Sequence, residues 1–277
     1  MKFGIAIFPT DYAISMTELA PAVEERGFES LWVAEHSHIP TSRESPWPGG
    51  PDLPKHYWHT MDPFIALTAA ALASKTLKVA TGICLLIQRD PIHTAKETAS
   101  VDLISGGRLI FGIGAGWNRE EMADHGTNFG TRWQLLREKT EAIKAIWSED
   151  VAEYRGEMVG FGPMWSWPKP VQKPHPPVIL GGSGPKILER VVRYADGWMP
   201  NRGDVLARIP ELERMAKDAG RGRIPVTYYP KATAEEIERC AQAGVDRLIW
   251  YVPPDGRDAA LTRLEELTKL VRPYLTN

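Results

Sequence analysis

The stretch FGIGAGWNREE, residues 111–121, runs from an apolar lead-in through Gly112, Gly114 and Gly116 into a polar, acidic segment. It reads as a strand, a glycine turn and the start of a helix, as a dinucleotide-binding loop would. That loop, however, is a GxGxxG after the first strand of a βαβ unit, with an acidic residue about 20 positions on. Here the pattern is GxGxG, it follows the fourth apolar run of the chain, and no strand ending in an acidic residue comes at the required distance. A Rossmann site is therefore rejected. The stretch reads instead as a strand end and loop within a larger α/β array.

The rest of the chain repeats the same alternation. Short apolar runs fall at 3–8, 30–36, 77–86, 109–114, 177–182, 196–200, 224–229 and 246–252. Several are apolar throughout, as strands covered on both faces should be. Between them lie helical stripes: Met16, Leu19, Ala20 and Val23; Ile187, Leu188, Val191, Val192 and Ala195; Ala260, Leu264, Leu267 and Val271. Each is one core-facing surface. Gly27, Gly220 and Gly244 stand where helices should end. Eight strands alternating with helices imply parallel pairing with right-handed crossovers. In 277 residues this suits an α/β fold of the (β/α)8 TIM-barrel type, typically about 250 residues long. No composition shift divides the chain, so residues 1–277 are expected to form one barrel domain.

Two insertions interrupt the repeat: 37–63 after strand 2, and 154–177 before strand 5, the latter with a possible short hairpin. Loops this long are functional or disordered as a rule, and their tryptophans favour ordered walls. The first insertion emerges at the C-terminal face of the barrel, where active sites lie. It is a candidate lid, with Trp47, His56, Tyr57, Trp58 and His59 as candidates to cover a substrate or simply to pack the loop.

Hydrophobic residues make up 43% of the chain and ten residues are Trp, so the core is large. A formal charge of −2 gives no reason to expect nucleic acid, whose partners normally show a basic face. Cys84 and Cys240 form no CxxC pair and read as buried thiols in a reducing compartment. The apolar start MKFGIAIFP is cut short by Pro9 and Asp11, too early for a signal segment or a membrane span. A cytoplasmic protein is expected.

Three local patterns bear on chemistry. EHSH places Glu35, His36 and His38 at the end of strand 2, and His-x-His can bind a divalent metal. A hydrolase would want further ligands at other strand ends. LGGSGP and DGWMPN end strands 5 and 6 without histidine, leaving only His56 and His59 to complete a site, so no metal is assigned. LGGSGPKILERVV, residues 180–192, is a strand, a glycine turn and a helix. Ser183 is placed to cap that helix, whose free N–H groups make an anion site; a plain tight turn reads equally well. Gly82, inside the third strand, marks a bulge with Ile83 or the close approach of a flat ring.

Together these residues resemble the luciferase-like monooxygenase superfamily of flavin and deazaflavin barrels. The resemblance rests on GFESLWVAEH, DPFIALTAAALASKTLKVATGI, RDPIHTAKETASVDLISGGRLIFGIGAGWNREE, KPHPPVILGGSGPKILERVVRYADGW and AGVDRL, in that order. The pattern looks most like the branch of oxidoreductases that use the deazaflavin coenzyme F420. The main alternative is the FMN-dependent monooxygenase branch, and a non-catalytic flavin-binding protein is a second. The resemblance implies that His36 is the active-site histidine and that Glu35 is a neighbouring acid, one that orients His36, bonds the ring or forms an ion pair at the barrel mouth. It also implies that Gly82 and Ile83 form a strand-3 bulge with a non-prolyl cis peptide. Gly114, Ala115, Gly116, Trp117 and Asn118 would line the cofactor. Gly181, Gly182 and Ser183 would bind its phosphate, and Trp198 would help enclose its tail. A small-molecule substrate and a homodimer are implied by the same analogy. One position departs: a sugar-phosphate dehydrogenase of the deazaflavin branch has a glutamate directly after its GxGxG, and this chain has Trp117 there.

Overall fold

Residues 1–275 are described by the structure, a computed structural model. Eight strands pair in parallel: β1 (Lys2–Ile7), β2 (Ser30–Val33), β3 (Lys78–Thr81), β4 (Leu109–Ile113), β7 (Val178–Gly181), β8 (Gly197–Met199), β9 (Thr227–Tyr228) and β10 (Arg247–Tyr251). Their order is β8-β7-β4-β3-β2-β1-β10-β9. The two ends of that order meet at a parallel bridge between Trp198 and Val226, where the Trp198 N–H donates to the Pro225 carbonyl at 2.9 Å. That contact turns the sheet into a nearly closed barrel.

The helices are α1 (Met16–Glu25), α2 (Pro63–Ala73), α3 (Pro91–Ser105), α4 (Arg119–Asp124), α5 (Arg132–Ser148), α6 (Ile187–Tyr194), α7 (Val205–Asp218), α8 (Ala234–Gln242) and α9 (Arg257–Val271). Their starts follow local chemistry. Asp62 and Asp90 each cap a helix whose first residue is proline, accepting N–H groups of the first turn. The expected stripes of α1 and α9 are the buried faces. In α6 the buried set is Ile187, Leu188, Val191 and Tyr194; Val192 is only half-buried and Ala195 follows the helix. Gly27, Gly220 and Gly244 follow helix ends with φ of 82°, 67° and 83°, the left-handed turn that glycine adopts without strain.

Strand alternation sorts the barrel residues into two clusters. Ala6, Trp32, Ala80, Ile110, Ile179, Met199 and Ile249 fill the interior. Their chain neighbours Ile5, Leu31, Val79, Phe111, Leu180 and Leu248 face the helices in the main core. Trp32 is the largest interior residue, and its Nε1–H donates to Ser30 Oγ at 2.8 Å. It fits because Gly4 faces it: a Cβ there would lie 2.5 Å from Ser30 Oγ and 3.0 Å from Trp32 Nε1.

The first insertion, between β2 and α2, carries a single 3₁₀ turn at Lys55–Tyr57. The second contains an antiparallel hairpin, β5 (Ala152–Arg155) with β6 (Gly160–Met164), which begins two residues before the expected loop. The third apolar run is a shorter strand than its composition suggests. Regular pairing with β2 ends at Thr81, and the Gly82–Ile83 peptide is cis. Beyond it Cys84 bridges to Ile113. Cys84 and Cys240 are buried free thiols. Among the described residues no helix is long and apolar enough to cross a membrane.

Candidate active site

A cavity of about 600 Å³ opens at the C-terminal end of the barrel, within the range typical of small-molecule sites. Ala34, His36, Gly82, Ile83 and Met199 line it from the ends of β2, β3 and β8. The glycine turns after β4 and β7 supply Gly114, Ala115, Gly116, Trp117, Gly181, Gly182 and Ser183. Residues from five strand ends, remote in sequence, thus share one surface.

The glycines around Ile83 answer to that side chain. A Cβ on Gly114 would stand 2.5 Å from Ile83 Cδ1, and one on Gly181 would stand 3.0 Å from its Cγ2. Ile83 therefore occupies the room that Gly114 and Gly181 leave, and it presents an apolar ledge to the cavity. A Cβ on Gly82 would meet the Tyr229 hydroxyl at 3.1 Å and Trp32 at 3.3 Å. That hydroxyl is buried and has no hydrogen-bond partner among the described residues.

His36 is 8% exposed, and its Nδ1 meets Glu121 Oε2 at 2.8 Å. Glu121 is 1% exposed, and its other oxygen accepts the Ser37 N–H at 3.2 Å. It sits in the first turn of α4, a favourable place for a carboxylate, and its own N–H donates to the Asn118 side chain at 3.0 Å. A carboxylate can only accept, so the neutral imidazole carries its proton on Nδ1 and keeps Nε2 free at the cavity wall. The Trp117 ring stands edge-on to His36 at 5.9 Å, and Tyr57 lies 5.1 Å away.

Glu35 does something else. Its Oε1 accepts from Arg89 Nε and its Oε2 from the Leu85 N–H, both at 2.6 Å, and Arg89 also pairs with Asp62 and Glu97. Of the alternatives left open by the sequence, the ion pair is the one formed. The expectation that Glu35 orients His36 is corrected: its two oxygens are engaged by Arg89 and the Leu85 N–H, and the bond at His36 Nδ1 is made by Glu121. The orienting acid is Glu121, 85 residues later, inside the acidic run of the decisive stretch.

The far end of the cavity is basic. Arg132, Lys186, Arg190 and Arg202 line it beside Gly182, Ser183 and Gly184. The Arg132 guanidinium lies 3.5 Å from the Phe129 ring centroid and Arg190 lies 4.2 Å from Trp133. Burial, and then the neighbouring Arg190 and Arg119 charges, push the Arg132 guanidinium below its usual range. Its Nε has no hydrogen-bond partner among the described residues. The sole carboxylate in the described lining, Glu35, is already held by Arg89. This end is built to receive negative charge.

Three expected placements differ. Ser183 does not cap α6; its hydroxyl donates to Asn201 Oδ1 and accepts the N–H groups of Asn201 and Arg202 at 3.0–3.1 Å. It ties the turn after β7 to the segment after β8 that carries Arg202. Asn118, 3% exposed, caps α4 and stands behind the cavity wall. Trp198 lies on the outer face of β8 by strand alternation, fully buried. Its Nε1–H donates to the Gly182 carbonyl at 2.9 Å, bracing the turn from behind. Met199, the next residue, is the one that faces the cavity. In the first insertion Tyr57 reaches the cavity, Trp58 is half exposed, and His59 pairs with Asp11 at 2.8 Å. His38 meets Asp124 rather than His36. Among the described residues no three His, Cys, Asp or Glu side chains gather as metal ligands.

Known proteins share this architecture. An uncharacterized protein of Mycobacterium tuberculosis is 38% identical over 275 residues, covering 96% of this chain and 97% of that one. A monooxygenase from Streptomyces bottropensis superposes with a TM-score of 0.83 at 18% identity over the full length of both chains. The coenzyme F420-dependent tetrahydromethanopterin reductase of Methanopyrus kandleri superposes at 0.78 with 21% identity, covering 99% of each. The luciferase-like monooxygenase family matches residues 1–274. With its barrel, its glycine turns and a relative of that closeness, the chain belongs to the luciferase-like monooxygenase family.

Proposed function

We propose that the protein is an oxidoreductase that binds the deazaflavin coenzyme F420 in the barrel-mouth cavity and exchanges hydride with a small organic substrate beside His36. The observation that carries this reading is the convergence of Arg132, Lys186, Arg190 and Arg202 on one end of a cavity whose other end is aromatic. FMN brings a single phosphate. Coenzyme F420 brings a phosphate and further carboxylates, and four cations with an unsatisfied guanidinium nitrogen suit that larger negative charge. When bound, the deazaflavin supplies two-electron hydride transfer at ring carbon C5.

The chain's own residues do the rest. Gly182, Ser183 and the four cations hold the tail. Ile83 and Ala115 offer apolar surface to a flat ring. His36 gives or takes a proton at Nε2, with Glu121 holding its Nδ1 proton. Trp117 replaces an acid with a wide apolar wall and keeps water from the reacting end. Fluorescence titration of the purified protein with F420 and with FMN tests the reading. Binding of F420 at least ten-fold tighter than FMN is expected, as roughly 1.4 kcal/mol from one added charged contact. Tighter FMN binding, with oxygen consumed from reduced FMN and substrate, would replace it with a monooxygenase. Cofactor binding with full turnover in His36→Ala would remove the proton-transfer role.

A further inference from the structure

A second cavity, of about 770 Å³, lies outside the barrel mouth between the first insertion, the segment after β10 and the outer side of α9. Phe8, Tyr57 and Tyr251 line both cavities, so the two spaces adjoin at a partition of these three aromatic rings. Phe8 lies 4.9 Å from Tyr57 and 5.8 Å from Tyr251. His36, on the inner side, is 5.1 Å from Tyr57. The outer chamber therefore begins one ring away from the histidine.

Its chemistry is the opposite of the basic end. Val252, Pro253, Pro254, Ala259 and Thr262 make an uncharged wall. The charged groups, Asp258, Arg263 and Glu266, include two acids and one base, and Arg263 donates to Glu266 at 2.7 Å. Arg263 is thus taken up by Glu266, and Asp258 pairs with Arg257 at 3.3 Å, so among the described residues no unpaired cation lines the chamber. His56 lines this chamber too, and burial lowers the pKa of its imidazole, with Asp255 opposing and His36 adding to the effect.

We propose that this chamber receives the non-reacting end of an uncharged, elongated, apolar substrate whose reacting end lies beside His36. The proposal rests on the redox reading of the inner cavity for the second half of that statement only. The division of labour follows from charge: the cationic end holds the anionic cofactor, and the aromatic partition and outer chamber exclude anions and reward apolar area at about 25 cal/mol per Å².

The test uses the whole protein and the neutral, polarity-sensitive dye Nile red, with 1-decanol and decanoate as competitors. Nile red fluorescence should rise on binding, and decanol should displace the dye at least ten-fold more effectively than decanoate. Thr262→Trp, an exposed position of α9, fills the chamber, and Ala259→Asp, in the first turn of the same helix, charges it. Each should weaken dye binding ten-fold or more while leaving the F420 and FMN titrations within two-fold of the unaltered protein. Thermal melts verify that both variants fold. Undiminished dye binding in both folded variants, absence of dye binding, or equal displacement by decanoate would overturn the proposal. Failure of F420 and FMN to bind would remove the redox reading and leave the dye result to decide the chamber by itself.

Discussion

Replacing Glu121 by alanine separates a positioning role from a merely structural one. The Glu121 carboxylate is buried and accepts from His36 Nδ1 at 2.8 Å and from the Ser37 N–H at 3.2 Å. Truncation leaves the buried His36 N–H without a partner, at about 1–3 kcal/mol, whereas the Ser37 N–H belongs to an exposed residue that water can reach. In a chain of this size about 1 kcal/mol moves Tm by roughly 2–4 °C, so Glu121→Ala should melt about 5 °C lower. Glu121→Gln keeps an acceptor oxygen and should lose less than half of that. The sharper readout is the imidazole tautomer. With histidine labelled in ¹⁵N and the pH held near 9, where an ordinary imidazole is neutral, the wild-type His36 signal should show the proton on Nδ1. The protein has seven histidines, and His36→Gln identifies the signal. In Glu121→Ala the Nδ1–H form loses its acceptor, and the Nε2–H form should become populated. A wild-type His36 protonated on Nε2, or a Glu121→Ala protein with unchanged tautomer and unchanged Tm, would refute the reasoning.

Arg132→Met should weaken F420 binding by about 10–100-fold, the loss of one charge-assisted contact of roughly 1.5–3 kcal/mol, read by fluorescence titration at fixed salt; an unchanged Kd would show that the basic end does not hold the tail. Gly114→Ala places a methyl 2.5 Å from Ile83 Cδ1 and should cost about 1–3 kcal/mol through overpacking, seen in a denaturant melt, with Ile83→Ala restoring part of the loss. Acid should act through Glu29: burial alone would raise its carboxyl, but the Arg247 guanidinium, bonded at 2.8 and 2.9 Å, and Lys78 bring it down from 4.5 to about 2. The folded value lies below the unfolded one, so the contribution is present above about pH 4.5 and fades as pH falls toward 2, up to about 3 kcal/mol; Glu29→Gln should flatten that limb of the stability profile.

The barrel was legible because its causes are local. Eight apolar runs, alternating with amphipathic stripes, leave one economical arrangement, and the spacing and position of GxGxG exclude a dinucleotide turn. The ends of β2, β3, β4 and β7 were identified as site segments for the same reason: glycines and a histidine at strand ends are departures from what a buried strand needs. Alternation within β8, read strictly, also tells Met199 from Trp198, since only one of two neighbours can face inward. The acid beside His36 was sought at Glu35 because the family resemblance places one there. Its two oxygens are instead taken by Arg89 and the Leu85 N–H, contacts that no local spacing reveals.

What the sequence by itself determined is the frame: the strand count, the faces of α1 and α9, the break in the third strand at Gly82 and the glycine turns that end β4 and β7. Only the tertiary structure decided the partners across the barrel mouth. The pairing of His36 with Glu121 joins residues 85 positions apart, and Arg132 meets Arg190 because α5 and α6 are neighbours on the barrel. The aromatic partition draws Phe8, Tyr57 and Tyr251 from three segments. Periodicity is set by bonds along the chain and can be read there. Electrostatic pairing and cavity shape are set by closure of the sheet, which brings together side chains that no spacing in the sequence relates.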